Sequence, residues 1–179
     1  MKKRVLCLMV EGFEEAELVM PVDLLRRAGV EVVIAALGDL AVPGKQGMRL
    51  EADVLLADAD PKTFDLLMLP GGPGVATLLS DGRAAELAKQ FADAGKVVAA
   101  ICAAPLVLAD AGLLEGKRFT AYPSVRADLG EGCVDERVVV DGDLITSRGP
   151  GTAIDFGLAM ITALLGEETA SRIAEEIAA

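Results

Sequence analysis

Cys102 stands between Val97-Val98-Ala99-Ala100-Ile101 and Ala103-Ala104-Pro105. The five residues before it are apolar and small or branched, the pattern of a buried strand. The three after it read as the first turn of a helix, where proline is tolerated because its missing N–H would have had no partner. A thiol at such a corner meets the positive end of a helix dipole and unpaired backbone N–H groups, and both favour thiolate over thiol. The chemistry open to it is nucleophilic attack or stepwise oxidation. The alternative is a structural cysteine, since free cysteine is among the most buried residue types. Cys7, inside a first strand, and Cys133, near a turn, read that way.

A nucleophile needs a proton carrier. The chain has no histidine, which excludes Ser-His-Asp and Cys-His machinery within it and most zinc or iron ligand sets. Carboxylates, tyrosine and lysine remain. Glu11-Gly12-Phe13-Glu14-Glu15-Ala16-Glu17 places four acids at a helix start, where acids ordinarily complement the dipole. Glu17 differs because Pro21 cannot donate to its carbonyl four residues earlier, so the helix is expected to kink or loosen there. A carboxyl group facing a thiolate would have its pKa raised by burial and like charge. It could then stay protonated and donate a hydrogen bond to sulfur.

Two glycine-rich segments could complete a site. Leu69-Pro70-Gly71-Gly72-Pro73-Gly74 is either a tight turn or a place where backbone approaches a ligand and aims N–H groups at an oxyanion. Ser147-Arg148-Gly149-Pro150-Gly151-Thr152 fits neither the P-loop nor the dinucleotide pattern and reads as a turn leading into a helix.

The elements that must position these groups alternate between strand and helix, which defines an α/β domain with a mostly parallel sheet. Strands are predicted at Arg4 to Val10, Glu31 to Ala36, Phe64 to Leu69, Val97 to Ile101 and Lys117 to Ala121. Val134 to Val140 and Leu144 to Ser147 form a hairpin turning at Asp141-Gly142. Helices are predicted at Glu14 to Ala28, Ala84 to Ala94, Ala103 to about Ala111, Pro150 to Leu165 and Glu167 to about Ile177. Residues 37–63 give loop punctuation with short extended pieces around Met48 to Leu56. In such sheets ligands sit at the carboxyl ends of strands. Glu11 to Glu17, Pro70 to Gly74, Cys102 and Ser147 to Thr152 all follow a strand and can share one site.

Composition bounds the rest. With 179 residues, no linker and no repeat, the chain reads as a single domain, 1–179. Hydrophobic residues make up 53% and aromatics 3%, so the core is aliphatic. A net charge of −11 argues against nucleic acid and an anionic membrane surface as partners. The apolar stretch after Met1-Lys2-Lys3-Arg4 stops at Glu11, too early for a signal core, and no apolar run spans a membrane. An odd number of cysteines without a C-x-x-C pair fits reduced thiols in a cytoplasmic setting.

Glu14-Glu15-Ala16-Glu17, Pro21-Val22-Asp23 with Arg26-Arg27-Ala28-Gly29, Leu69-Pro70-Gly71-Gly72, Ala99 to Pro105 and Thr146 to Thr152 together resemble the ThiJ/PfpI superfamily. The likeness is to the branch that holds the parkinsonism-associated protein deglycase and its bacterial relatives, and it covers essentially the whole chain. It implies a flavodoxin-like three-layer α/β sandwich with a mostly parallel central sheet, and a homodimer. It further implies Cys102 as nucleophile, Glu17 as its protonated partner, and an oxyanion pocket from the N–H groups of Gly72 and Ala103. Gly71, Tyr122 and Arg27 would line the substrate pocket. The expected substrate is a small reactive aldehyde or a glycated protein, with no metal and no organic cofactor. The same site read without turnover is an oxidative-stress sensor or redox-regulated chaperone. Two departures matter. The protease-like branch carries histidine after the cysteine, where Ala103 stands, so peptidase activity is not expected. Many relatives place a histidine where this chain has Tyr122, and a phenol is a poor general base at neutral pH.

Overall fold

The computed structural model describes residues 2–179. Seven strands form one sheet in the order β5-β2-β1-β6-β7-β9-β8. Its parallel part is β1 (Arg4–Met9), β2 (Glu31–Ala36), β5 (Val54–Leu55), β6 (Leu66–Leu69), β7 (Val97–Ile101) and β9 (Leu144–Ser147). Only β8 (Val138–Asp141) runs antiparallel, as the other arm of the hairpin predicted at Asp141-Gly142. A separate two-stranded ribbon pairs β3 (Ala41–Pro43) with β4 (Arg49–Glu51).

Side chains alternate across a strand, and β1 shows the consequence. Val5, Cys7 and Met9 enter one core, while Leu6, Leu8 and Val10 enter the other. The first core is closed by α1 (Glu15–Arg27), α6 (Ala153–Leu165) and α7 (Glu167–Glu176). The second is closed by α2 (Val75–Asp81), α3 (Arg83–Asp93) and α4 (Pro105–Asp110). Helix, sheet and helix therefore stack as three layers, with β1, β6 and β7 buried on both faces. That double burial explains why these strands read as continuous apolar runs.

Several expectations change. Residues 75–81 form α2 and Arg126–Leu129 form the short α5, neither of which the apolar spacing announced. Lys117 to Ala121 contributes only one isolated bridge, Phe119 to Cys133, because no strand lies alongside to extend it. Regular pairing on the β8 side begins at Val138, opposite Ser147, where β9 ends. The predicted Pro150 helix starts with a 3-10 turn, Pro150–Thr152, before α6. Helix α1 runs on through Pro21. Among the described residues no helix is long and apolar enough to cross a membrane.

Candidate active site

The turns that follow β1, β6, β7 and β9 converge at the carboxyl edge of the sheet. Cys102 closes β7 in a left-handed conformation, φ 66°. A non-glycine residue there costs about 1–2 kcal/mol and persists only when its surroundings hold it. Both flanking peptides are held: the Cys102 N–H donates to the Ser147 carbonyl at 2.9 Å, and the Cys102 carbonyl accepts the Tyr122 N–H at 2.8 Å. The helix that follows, α4, has only six residues. Tight turning, more than a long helix dipole, sets the position of the sulfur.

Glu17 lies fully buried in the first turns of α1. The Gly71 N–H donates to its Oε2 at 2.9 Å. Oε1 is buried with no N–H or O–H donor, and the Cys102 thiol is the side chain that bonds to the carboxyl group. Glycine at 71 makes this approach possible. A Cβ there would lie 2.6 Å from Cys102 Cβ, 2.6 Å from Glu17 Oε2 and 2.8 Å from the Ile101 carbonyl oxygen. The next residue, Gly72, adopts φ 96°, and a Cβ on it would meet the Gly12 carbonyl oxygen at 2.5 Å. The Glu14 N–H donates to the Gly71 carbonyl at 3.0 Å, tying the start of α1 to the same turn.

Electrostatics reverse one expectation. Burial pushes the Glu17 carboxyl up to about 7, with the hydrogen bonds from Cys102 and Gly71 pulling the other way. Burial also pushes the Cys102 thiol up to about 12, reinforced by the charge and hydrogen bond of Glu17. The backbone N–H groups of Gly72 and Ala103 bond to the sulfur and act in the opposite direction. A thiol below its free value, expected from the corner alone, is not what the assembled site gives. The cause is that sulfur and carboxylate share one dry space. The pair gives up one proton near neutrality and holds the second far above it.

Six residues expected at the site are thus together: Cys102, Glu17, Gly71, Gly72, Ala103 and Tyr122. Tyr122 is 43% exposed, and its ring covers Gly149, where a Cβ would lie 3.0 Å from Tyr122 Cδ2 and 3.9 Å from Glu17 Oε1. Arg27 is not among them. It lies ten residues along α1 from Glu17, about 15 Å of helix, and its exposed guanidinium pairs with Asp23 at 2.7 Å and Glu176 at 2.9 Å. Within one chain, therefore, Arg27 does not line the pocket around its own Cys102 and Glu17.

The segment after β9 is expected as a turn leading into a helix at the shared edge, and its hydroxyls support the turn. Ser147 Oγ donates to the Arg137 carbonyl at 3.0 Å and meets Thr152 Oγ1 at 2.6 Å. Thr152 Oγ1 also accepts the Gly149 N–H at 3.2 Å. This turn forms one wall of the site, as its place at the carboxyl edge of the sheet leads one to expect, with Gly149 packed beside the Tyr122 ring. A cleft of about 240 Å³ opens there, lined by Tyr122, Arg137, Arg148 and Gly149. Larger clefts lie beside α1 and α6 (about 410 Å³) and at the ends of β1 and β2 (about 270 Å³); Cys102 lines none of the three, and the cleft beside Tyr122 adjoins it through the Tyr122 N–H bond to the Cys102 carbonyl. Among the described residues no group of three or more His, Cys, Asp or Glu is arranged to hold a metal ion.

A doubly wound, flavodoxin-like α/β domain with a cysteine on a strained strand-to-helix corner and a buried carboxyl partner is the class that fold and site define. The DJ-1/PfpI family matches residues 3–163. This chain belongs to that family. It is 39% identical to Protein dj-1beta of Drosophila melanogaster over 98% of this chain and 96% of that protein. The crystal structure of the Drosophila protein superposes with a TM-score of 0.94, covering 99% of this chain and 98% of that one. A deglycase of Pyrococcus abyssi is 39% identical over 83% of this chain and 91% of its own length. A glutathione-independent glyoxalase of Caenorhabditis elegans is 36% identical over 93% and 91%. The chain spans 39% of the length of Arabidopsis thaliana DJ-1 homolog B, to which it is 43% identical.

Proposed function

We propose that the protein is a cysteine-dependent glyoxalase or deglycase acting on methylglyoxal-type α-oxoaldehydes or their early protein adducts. The observation that carries this reading is the contact between the strained Cys102 and the fully buried Glu17, whose carboxyl titrates near neutrality. Transfer of the thiol proton to Glu17 removes the carboxylate charge that opposes thiolate formation. It leaves the sulfur facing the N–H groups of Gly72 and Ala103.

The thiolate attacks the aldehyde carbon, and Glu17 returns its proton to the new alkoxide, giving a hemithioacetal. Glu17 then takes the proton from that carbon, the former ketone oxygen gains the hydroxyl proton by way of an enediol, and Glu17 delivers the carbon proton to the neighbouring former ketone carbon. The product of this internal transfer is a thioester of the 2-hydroxy acid, and water releases the acid and the free thiol. Every proton passes through one carboxyl group, which suits a chain without histidine. Tyr122 positions substrate. The family resemblance adds a homodimer, which sedimentation measures directly.

Lactate formation from methylglyoxal tests the reading. Wild type forms lactate, Cys102→Ser forms none, and Glu17→Gln loses about 100-fold to 10,000-fold, the usual worth of a general acid–base group. Lactate formation persisting in Cys102→Ser refutes it. A second reading draws on the unpaired Glu17 Oε1. Two equivalents of peroxide convert Cys102 to the sulfinate with loss of two waters, and protonated Glu17 donates to a sulfinate oxygen. That sensor reading predicts a two-oxygen mass increase on Cys102 under mild peroxide, and loses its basis if Glu17→Gln accumulates the adduct equally well.

A further inference from the structure

The cleft beside Tyr122 carries a charge that the thiol–carboxyl chemistry does not use. Two guanidinium groups line it, Arg137 and Arg148, and a third, Arg126, shares Asp135 with Arg148, so that two carboxylates answer three guanidiniums. Arg137 is matched in charge: its Nε donates to Asp155 at 3.0 Å and its Nη2 to the Gly151 carbonyl at 2.9 Å. Arg126 donates from Nε to the Ala121 carbonyl at 3.0 Å and from Nη2 to Asp135 Oδ1 at 2.7 Å. Arg148 has only the longer contact, Nη1 to that same Asp135 Oδ1 at 3.2 Å. One positive charge is therefore unmatched, in a chain of net charge −11, and it resides at Arg148.

Its place is fixed by the site itself. Arg148 follows Ser147, whose carbonyl holds the Cys102 N–H. It precedes Gly149, which packs under the Tyr122 ring within reach of Glu17. Its side chain is about one-third exposed, at the wall of the cleft. A guanidinium with open donors in a half-closed space recognises a carboxylate or phosphate oxygen pair.

We propose that Arg148 determines specificity, drawing to Cys102 those α-oxoaldehydes or adducts that carry an anionic group. A neutral compound such as methylglyoxal then fills only part of the site. This inference rests on the proposed α-oxoaldehyde reaction for its substrate class, while the anion subsite itself can be measured without turnover.

Iodoacetate and iodoacetamide alkylate a thiol by the same displacement of iodide and differ in one negative charge. The rate of each at Cys102, followed by peptide mass spectrometry, gives an anion-to-neutral ratio. Arg148→Gln is expected to lower that ratio roughly fivefold or more, and Arg148→Lys to restore part of it. In wild type the ratio should fall as ionic strength rises from about 20 to about 200 mM. A ratio indifferent to Arg148→Gln overturns the proposal. Should that variant not fold, a wild-type ratio indifferent to salt overturns it instead.

The second measurement compares kcat/KM for 4,5-dioxopentanoate, an α-oxoaldehyde with a carboxylate tail, and for methylglyoxal. Wild type should favour the anionic aldehyde, chiefly through KM, and Arg148→Gln should erase the preference. Equal kcat/KM for both in wild type counts against the subsite. If neither aldehyde reacts while the alkylation ratio still depends on Arg148, the reaction falls and the anion subsite stands.

Discussion

Replacing Glu17 by Gln should make the protein more stable above neutral pH while removing its activity. The folded carboxyl titrates at about 7 against 4.5 for the same group free in water, as in the unfolded chain, with burial as the leading cause. Folded Glu17 therefore binds more protons than unfolded Glu17 across that window, so unfolding free energy falls as pH rises from 4.5 to 7. A shift of that size corresponds to about 3 kcal/mol when fully developed, at 1.36 kcal/mol per pH unit. Between about pH 5 and about pH 8 the change from this group alone is about 2.5 kcal/mol. Glutamine keeps the acceptor that the Gly71 N–H uses and removes the ionisable group, so the cost disappears. Because the chain has no histidine, little else titrates in the window, and the difference between variant and wild type isolates Glu17. Urea unfolding at the two pH values gives the quantity directly. The advantage of Glu17→Gln should grow by about 2 kcal/mol or more on going to the higher pH. An advantage independent of pH would show that Glu17 does not titrate there, and the proton route built on it would fail.

Other outcomes follow from the same geometry. Gly71→Ala drives a methyl against the Ile101 carbonyl oxygen as well as both reacting groups; a loss of about 1–3 kcal/mol and slowed alkylation of Cys102 are expected, and unchanged values for both would contradict the close approach. Glu17→Gln removes two of the influences that raise the Cys102 thiol, so the pH midpoint for iodoacetamide alkylation should move below about 12; a higher midpoint would reverse the assigned direction. Thr152→Val strips an acceptor from the Gly149 N–H and a partner from Ser147, at a cost of about 1–3 kcal/mol in urea unfolding. Arg27→Ala should leave lactate formation within about twofold and the urea midpoint nearly unchanged, since exposed ion pairs contribute little; a large kinetic effect would return Arg27 to the pocket.

Much of the fold is legible along the chain because it depends on near neighbours. The strands Glu31–Ala36, Val97–Ile101 and Leu144–Ser147 fall where apolar runs and their stops place them. Cys102 announces itself by sitting between such a run and a proline-led turn, and a missing histidine already restricts the proton carrier to a carboxyl group. Residues 37–63 resist this reading because a ribbon of three-residue strands has no period to detect.

Three properties of the site belong to the tertiary structure alone. The left-handed turn at Cys102 is imposed by Ser147 and Tyr122, residues distant in sequence that hold its two peptides. The upward shift of the thiol arises first from burial and then from a carboxyl group 85 positions earlier, brought into the same dry space by Gly71. Arg27 lies on the helix that carries Glu17, yet ten residues of rise take it out of reach of its own chain's Cys102–Glu17 pair. Order along the chain sets which residue types can meet; distance and dielectric, which decide their chemistry, exist only once the sheet has brought its strand ends together.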